Sequence, residues 1–321
     1  MGEMAVKDMP WIESDGLPKM PLERDPRSIL TYPVVDPIWD IDALPVYYTD
    51  SRWFAFVYEA DEKDLKRVLP EPLKLEDDVV EFWYVDHRNT RLGPYGEMGI
   101  TVSASYEGYK GGYYPYMYLT TDAGTDAGRV LGFPKKMAYI RSLEHGGKWD
   151  DGREKPGNKY FSFMMARNGY VMHSATGQYT GNKITDLARV PMFYGKTDWG
   201  RLNMRILSDA SLRNTTWQLT YLPSEYEGKH RFQLNMESVT TAQPEDINWF
   251  MQGTPFDNFG HTMPAKKLLG LISFNFDLII PAAKIIWEKK YTRTDEDMKQ
   301  LLHETAYKYG MAHRFPKPYG A

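Results

Sequence analysis

Residues 128–140 read Gly128-Arg129-Val130-Leu131-Gly132-Phe133-Pro134-Lys135-Lys136-Met137-Ala138-Tyr139-Ile140, two lysines side by side in a run otherwise rich in apolar residues and glycine. An isolated charge in such surroundings is costly, and a buried lysine ordinarily responds by giving up its proton. A neighbouring cation pushes the same way, because like charges resist coexisting. A lysine that is neutral near neutral pH is a nucleophile towards ketones and forms Schiff bases. Pro134 presets its own φ and restrains Phe133, which helps to aim Lys135. On spacing alone, a Lys-Lys pair reads as a solvated face with its stems along apolar neighbours. The sequence around it changes that reading.

Working outward, period-two and aromatic-rich runs dominate from Tyr47 onward, at 52–60, 79–87, 99–107, 112–120, 159–167, 170–180, 201–208, 217–222 and 230–243. Such alternation predicts strands. Asn168-Gly169 between two of these runs predicts a tight hairpin, and Glu107–Gly112 predicts a second. Helices are few. One is predicted over Asp61–Leu69, stopped by Pro70, and another over Pro281–Lys290, which opens on proline and closes on lysines. A third follows the capping box Thr294-Asp295-Glu296-Asp297, with Met298, Leu301, Leu302, Ala306 and Tyr309 on one face. The whole predicts a mainly β fold, antiparallel and curled around a pocket, with short peripheral helices.

Prolines at 10, 18, 21, 26, 33 and 37 argue against regular structure at the N-terminus. Three regions follow: a proline-rich extension over 1–44, anchored by Trp11, Leu30, Ile38 and Trp39; a main domain over 45–292; and a helical extension over 293–321.

Composition narrows the classes of function. Aromatics reach 14% of the 321 residues, material for strands and broad apolar walls rather than a helical bundle. The net charge of −4 gives no basic patch for nucleic acid or anionic membranes. The absence of cysteine removes disulfides, thiolate catalysis and Cys-based metal sites. The start Met1-Gly2-Glu3-Met4-Ala5 has no signal-peptide pattern and no apolar run is long enough to span a bilayer, so a cytoplasmic protein is expected.

The seven histidines stand singly at 87, 145, 173, 230, 261, 303 and 313, without paired ligand spacing, so no metal is expected. His87, beside Asp86, is the one nearest the expected pocket. Tyr194-Gly195-Lys196-Thr197 has a bulky Val190 where a phosphate loop needs glycine. No dinucleotide fingerprint or serine elbow is present, and no cofactor is expected.

The segment Gly128-Arg129-Val130-Leu131-Gly132-Phe133-Pro134-Lys135-Lys136 resembles the active-site segment of the acetoacetate decarboxylase-like superfamily. Ser51–Tyr58 resembles that family's first strand, and Leu65–Leu73 its helix and Pro-Glu-Pro turn. Leu92-Gly93-Pro94-Tyr95-Gly96-Glu97, Lys110–Tyr113 and Asp277–Ala283 also match, in order, so the resemblance runs from about Leu44 to about Tyr291. It implies a cone-like antiparallel β-barrel and cofactor-free lyase chemistry on a keto acid. It also implies a homo-oligomer, a tetramer or larger. Outside the match, the apolar residues Trp11, Ile38 and Trp39 at one end and Leu301, Leu302 and Tyr309 at the other predict that a terminal extension crosses an interface.

The resemblance makes Lys135 the Schiff-base nucleophile and Lys136 the neighbouring cation. The family is itself the standard case of a lysine activated this way, so that point comes with the resemblance. Glu97 becomes the proton carrier, and Arg52 a clamp for the substrate carboxylate or for Glu97. Phe133, Trp83, Glu81, Tyr116 and Met117 are expected to line the substrate.

Two departures bear on the reaction. Trp83 stands where the decarboxylases resembled here keep an acidic residue after a phenylalanine, with Glu81 on the same strand face. The stretch from Gly128 to Lys135 is also one residue shorter. Decarboxylation of an acetoacetate-like or larger β-keto acid is therefore weighed against aldolase-dehydratase or hydratase chemistry through the same imine. A non-catalytic ligand-binding barrel is a third reading.

Overall fold

The computed structural model describes residues 44–148, 154–180, 199–254 and 257–308, together with Thr31 and Ile38. The chain divides into two compact units, Met1–Leu44 and Pro45–Ala321. Trp11, Leu30, Trp39, Tyr309 and the Tyr194–Thr197 stretch lie outside the described residues.

Strands β1 (Val46–Glu59), β2 (Lys74–His87), β3 (Asn89–Thr90), β4 (Tyr95–Tyr106), β5 (Tyr109–Leu119) and β6 (Lys135–Met137) carry the first half of the fold. Helix α1 (Glu62–Val68) follows β1, and α2 (Asp122–Leu131) precedes β6. Then come β7 (Tyr139–Lys148), β8 (Glu154–Arg167), β9 (Tyr170–Gln178), β10 (Gly200–Ser208) and β11 (Asn214–Leu222). The short β12 (Glu225–Tyr226) and β13 (Lys229–His230) form a ribbon before β14 (Phe232–Ala242) and β15 (Ile247–Met251). Helix α3 (Phe259–Thr262), β16 (Lys267–Ile280), β17 (Lys284–Thr292) and α4 (Asp295–Lys308) complete it.

The large sheet runs β14-β16-β1-β2-β4-β5-β10-β11-β17, with β3 on β1 and β6 on β5; a second sheet runs β15-β9-β8-β7. The mainly β expectation holds. Among the described residues β14 and β17 end the path without pairing to each other, so a hydrogen-bonded barrel is not closed.

Strand parity sorts the large sheet into two chemically different faces. One face presents Phe54, Phe56, Tyr58, Phe82, Tyr84, Met98, Ile100 and Val102, packed with Phe161, Phe163, Met165, Met172 and Ala175 of the second sheet. Buried apolar area of this kind is worth roughly 25 cal/mol per Å². The other face presents Ser51, Trp53, Glu81, Trp83, His87, Glu97, Thr101 and Ser103, all buried and mostly polar or amphipathic. The chemistry lies on that second face.

Both hairpin signals hold. Asn168 and Gly169 take φ of 51° and 83°, and Glu107 and Gly108 take 43° and 88°, the left-handed pairs that tight hairpins need. The capping box holds too: Thr294 N donates to Asp297 Oδ2 at 2.7 Å, and Asp297 N to Thr294 Oγ1 at 3.2 Å. Leu301 is 36% exposed, and the side chain of Leu302 lies outside what is described.

One element is a correction. The helix expected over Pro281–Lys290 is a strand: β17 pairs antiparallel with β11, Thr220 opposite Ile285 and Leu219 opposite Trp287. Ile285-Ile286-Trp287 is a β-branched and aromatic run that fits a pleated surface, and Pro281 ends β16 instead of opening a helix. Helix α2 was not expected, because Gly124 and Gly128 interrupt any helical signal.

Candidate active site

Lys135 reaches the polar face through a sharp stop in α2. Gly132 takes φ 98°, its N–H bonds Arg129 O at 3.0 Å, and Phe133 N bonds Gly128 O at 3.0 Å. The chain then turns through Phe133-Pro134 into β6, whose register sets Lys135 beside Met117 of β5. Arg129 Nε holds the Lys135 carbonyl at 2.9 Å. Gly128 leaves room for the lysine stem: a Cβ there would overlap Cδ and Cε of Lys135.

Lys135 Nζ lies 3.1 Å from Glu97 Oε1, with the two side chains 8% and 5% exposed. The other carboxylate oxygen, Oε2, is 3.5 Å from His87 Nε2. His87 Nδ1 is 2.9 Å from Ser51 Oγ, and its ring packs on Tyr48 and Tyr95. Burial pushes the Glu97 carboxyl up, but the Lys135 ammonium and His87 overcome it and hold the group down at about 2. Burial lowers His87, against the pull of Glu97. In the neutral ring Nε2–H donates to Glu97 and Nδ1 accepts from the Ser51 hydroxyl.

Aromatic groups surround this relay. Lys135 Nζ lies 5.5 Å from the Phe133 ring centroid, and Phe133 packs on Tyr114 at 5.5 Å. Trp83 stacks on Trp53 at 4.6 Å, donates to Thr101 Oγ1 at 2.8 Å, and touches Tyr114 edge-on. It lies opposite Gly99, where a Cβ would strike its ring. Glu81 is 0% exposed and accepts a 3.0 Å bond from Trp53 Nε1 at Oε1. Burial pushes its carboxyl up to about 8, against the lowering pull of Trp53 and Arg201.

Of the residues singled out from sequence, Lys135, Glu97, Phe133 and Met117 come together, with Trp83 and Glu81 on the same face. Three do not join them. Arg52 follows Ser51 and so projects to the opposite side, where Nη2 and Nε bind Glu144 at 3.0 and 3.2 Å. Ser238 O, Asn275 and Thr240 take its other donors, and Tyr179 OH donates to Glu144 at 2.9 Å. Arg52 clamps neither Glu97 nor anything near Lys135. Lys136 likewise turns away and pairs with the fully buried Asp257, which also accepts from Arg167 and Tyr118 at 2.9 Å. Tyr116 packs on Phe259 in the apolar core, and Tyr114 is the tyrosine that faces the site.

The sequence gives no sign of Ser51, Tyr48, Trp53 or Arg201 as site residues, and singles out His87 as the histidine on a pocket-side strand beside Asp86 without assigning it a role. The signal for His87 and Ser51 is parity: each falls in step with Glu81–Trp83 or Trp53 along its strand. Among the described residues no group of three or more acidic or histidine side chains could hold a metal, and no helix is long and apolar enough to cross a membrane.

A mainly β sheet whose polar face buries a lysine–glutamate pair at the end of a glycine-bearing helix defines a recognisable class. A model of the acetoacetate decarboxylase family matches residues 31–287, and the chain belongs to that family. Acetoacetate decarboxylase 1 of Bradyrhizobium diazoefficiens is 32% identical over 123 residues, 38% of this chain and 48% of that protein. Acetoacetate decarboxylase of Clostridium acetobutylicum is 35% identical over 97 residues, 30% of this chain and 40% of that protein. These matches span less than half the length of either relative.

Solved structures share the fold. Acetoacetate decarboxylase from Legionella pneumophila superposes with a TM-score of 0.59 at 19% identity, covering 76% of this chain and 88% of that one. The enduracididine biosynthesis enzyme MppR, complexed with the condensation product of pyruvate and imidazole 4-carboxaldehyde, gives 0.61 at 15% identity, covering 80% and 95%.

Proposed function

We propose that this chain is a cofactor-free lyase that forms a Schiff base between Lys135 and the ketone of an oxo acid. The observation that carries the reading is the buried pair of Lys135 Nζ and Glu97 Oε1 at 3.1 Å, backed by His87 and Ser51. The amine attacks the ketone carbon, the carbinolamine loses water, and the protonated imine becomes an electron sink.

With a β-keto acid, the bond to the carboxylate carbon breaks and its electron pair enters the imine, giving carbon dioxide and an enamine. The enamine carbon then takes a proton, and water hydrolyses the imine to return the amine and the product ketone. Glu97 is the group within reach to take the lysine proton and give it back. Its low proton affinity belongs to the resting ion pair. Once the ammonium is discharged that hold is gone, and burial raises the carboxylate's affinity for the proton.

Trp83 favours a second reading within the same class. A stacked indole, 2% exposed, forms a flat wall where the decarboxylases resembled here keep an acid. Aldol condensation and dehydration from pyruvate and an aldehyde would pass through the same imine, and MppR was solved with such a condensation product.

Borohydride reduction in the presence of acetoacetate, or of pyruvate with an aldehyde, is expected to add covalent mass at Lys135. Carbon dioxide release against enone formation separates the two readings. Turnover without any mass at Lys135 would sink both.

A further inference from the structure

Arg201 is 8% exposed and has no hydrogen-bond or ion-pair partner among the described residues. An unpaired guanidinium at that depth is costly unless a ligand completes it. Its place follows from register: Arg201 of β10 lies beside Gly112 of β5, and Gly112 beside Ser103 of β4. Residues in register share a face, so Arg201 stands on the face that carries Ser103, Thr101 and Glu97. Glycine at 112 leaves the space between them free of a side chain.

Polar groups on the same face are also incomplete. Among the described residues, Glu81 Oε2, Ser103 Oγ, and both Oδ1 and Nδ2 of Asn203 are buried without a hydrogen-bond partner. Glu81 lies opposite Thr101, two residues from Ser103, and Asn203 follows Arg201 on the same strand face. Few native buried polar atoms go unpaired, and four on the face that carries this cation point to an absent ligand.

The charges favour an anion. Among the described residues Arg231, also buried, is bound only by the carbonyl oxygens of Pro223, Ile279 and Leu222 and adds its field to that of Arg201. Glu97 is already matched by Lys135. Burial pushes the Glu81 carboxyl up to about 8, towards the protonated form that presents an O–H donor. Tyr48 and Tyr114 feel the charges of both Glu97 and Arg201, which ties the two groups to one site.

We propose that Arg201, with Glu81, Ser103 and Asn203, is the subsite that receives the substrate's carboxylate while Lys135 takes its ketone. This deepens the Schiff-base reading above and rests on it for the ketone end. The guanidinium offers the carboxylate a planar two-pronged contact. Arg201 thereby fills the part that Arg52, tied to Glu144, is not placed to play.

Two ketones of one skeleton test this: acetoacetate, and neutral butanone, in which a methyl replaces the carboxylate. In Arg201→Met, borohydride trapping at Lys135 is expected to need at least tenfold more acetoacetate, with butanone unaffected. Retained butanone trapping also shows that the variant is folded. Arg201→Lys, which keeps the charge and loses the fork, is expected to fall between. Equal loss of both compounds, or loss of neither, overturns the proposal.

If the parent protein traps neither compound, the anion subsite is still read by calorimetric titration with malonate, which has no ketone. Malonate affinity reduced tenfold or more in Arg201→Met supports the subsite. Affinity that is absent in the parent, or the same in both proteins, overturns it.

Discussion

Lys135 and Lys136 are neighbours in the chain whose ammonium groups serve opposite faces of one sheet. Lys135 meets Glu97 on the polar face, and Lys136 meets Asp257 at the edge of the apolar core. A three-residue strand suffices, because successive side chains in a strand point to opposite sides. Lys135→Met should abolish imine trapping while the protein stays folded. Lys136→Met should leave trapping per folded molecule within about twofold and cost about 1 kcal/mol, since Arg167 and Tyr118 still partner Asp257. Mass spectrometry after borohydride and urea unfolding read the two effects. Loss of trapping in Lys136→Met would restore that lysine to the site.

Gly128→Ala isolates the placement of the nucleophile. The residue is helical, so alanine relieves backbone entropy by up to about 1 kcal/mol. Its Cβ nonetheless overlaps the Lys135 stem, and the stem is the softer partner. Thermal stability is expected to hold or rise while the rate of trapping falls tenfold or more. A variant both stable and fully reactive would mean that the lysine's rotamer is not set by this contact.

Arg52→Met is expected to act on stability alone. Among the described residues it leaves Glu144, whose side chain is 10% exposed, with only the Tyr179 hydroxyl, and breaking such a pair costs about 3–5 kcal/mol. Denaturant midpoints should drop sharply while imine trapping of the folded fraction is retained. Selective loss of acetoacetate trapping, without loss of stability, would instead return the substrate clamp to Arg52.

Much of this was legible in the sequence, for physical reasons particular to each element. Alternation and the Asn168-Gly169 turn announce the strands because one large sheet buries two different faces. Pro281 misled because a proline that ends a strand and one that opens a helix look alike until Ile285 and Trp287 are seen against β11. Lys135 and Glu97 were readable only through the resemblance of their segments to the acetoacetate decarboxylase-like family, since each alone reads as a solvated charge. Arg52 was misplaced by a single residue of parity, which in a strand means the opposite face. Arg201 was out of reach, because only the parallel pairing of β10 with β5 sets it beside Gly112 and Ser103.

Glu81 gives a pH dependence whose sign is unusual for an acid. Its folded value is pushed up to about 8, well above an ordinary carboxylate, so the native state keeps a proton that the unfolded chain releases. Its favourable contribution is therefore complete below about pH 4.5 and is lost as pH rises through 8, with a slope of at most about 1.4 kcal/mol per pH unit. Glutamine at this position keeps the shape, the Trp53 hydrogen bond and the neutral charge at every pH. Urea unfolding of Glu81→Gln and parent across pH 5 to 8.5 should show the stability difference moving steadily in favour of the variant. Two parallel curves over that range would mean that Glu81 is ionised in the native protein, and the neutral donor beside Arg201 would have to be given up.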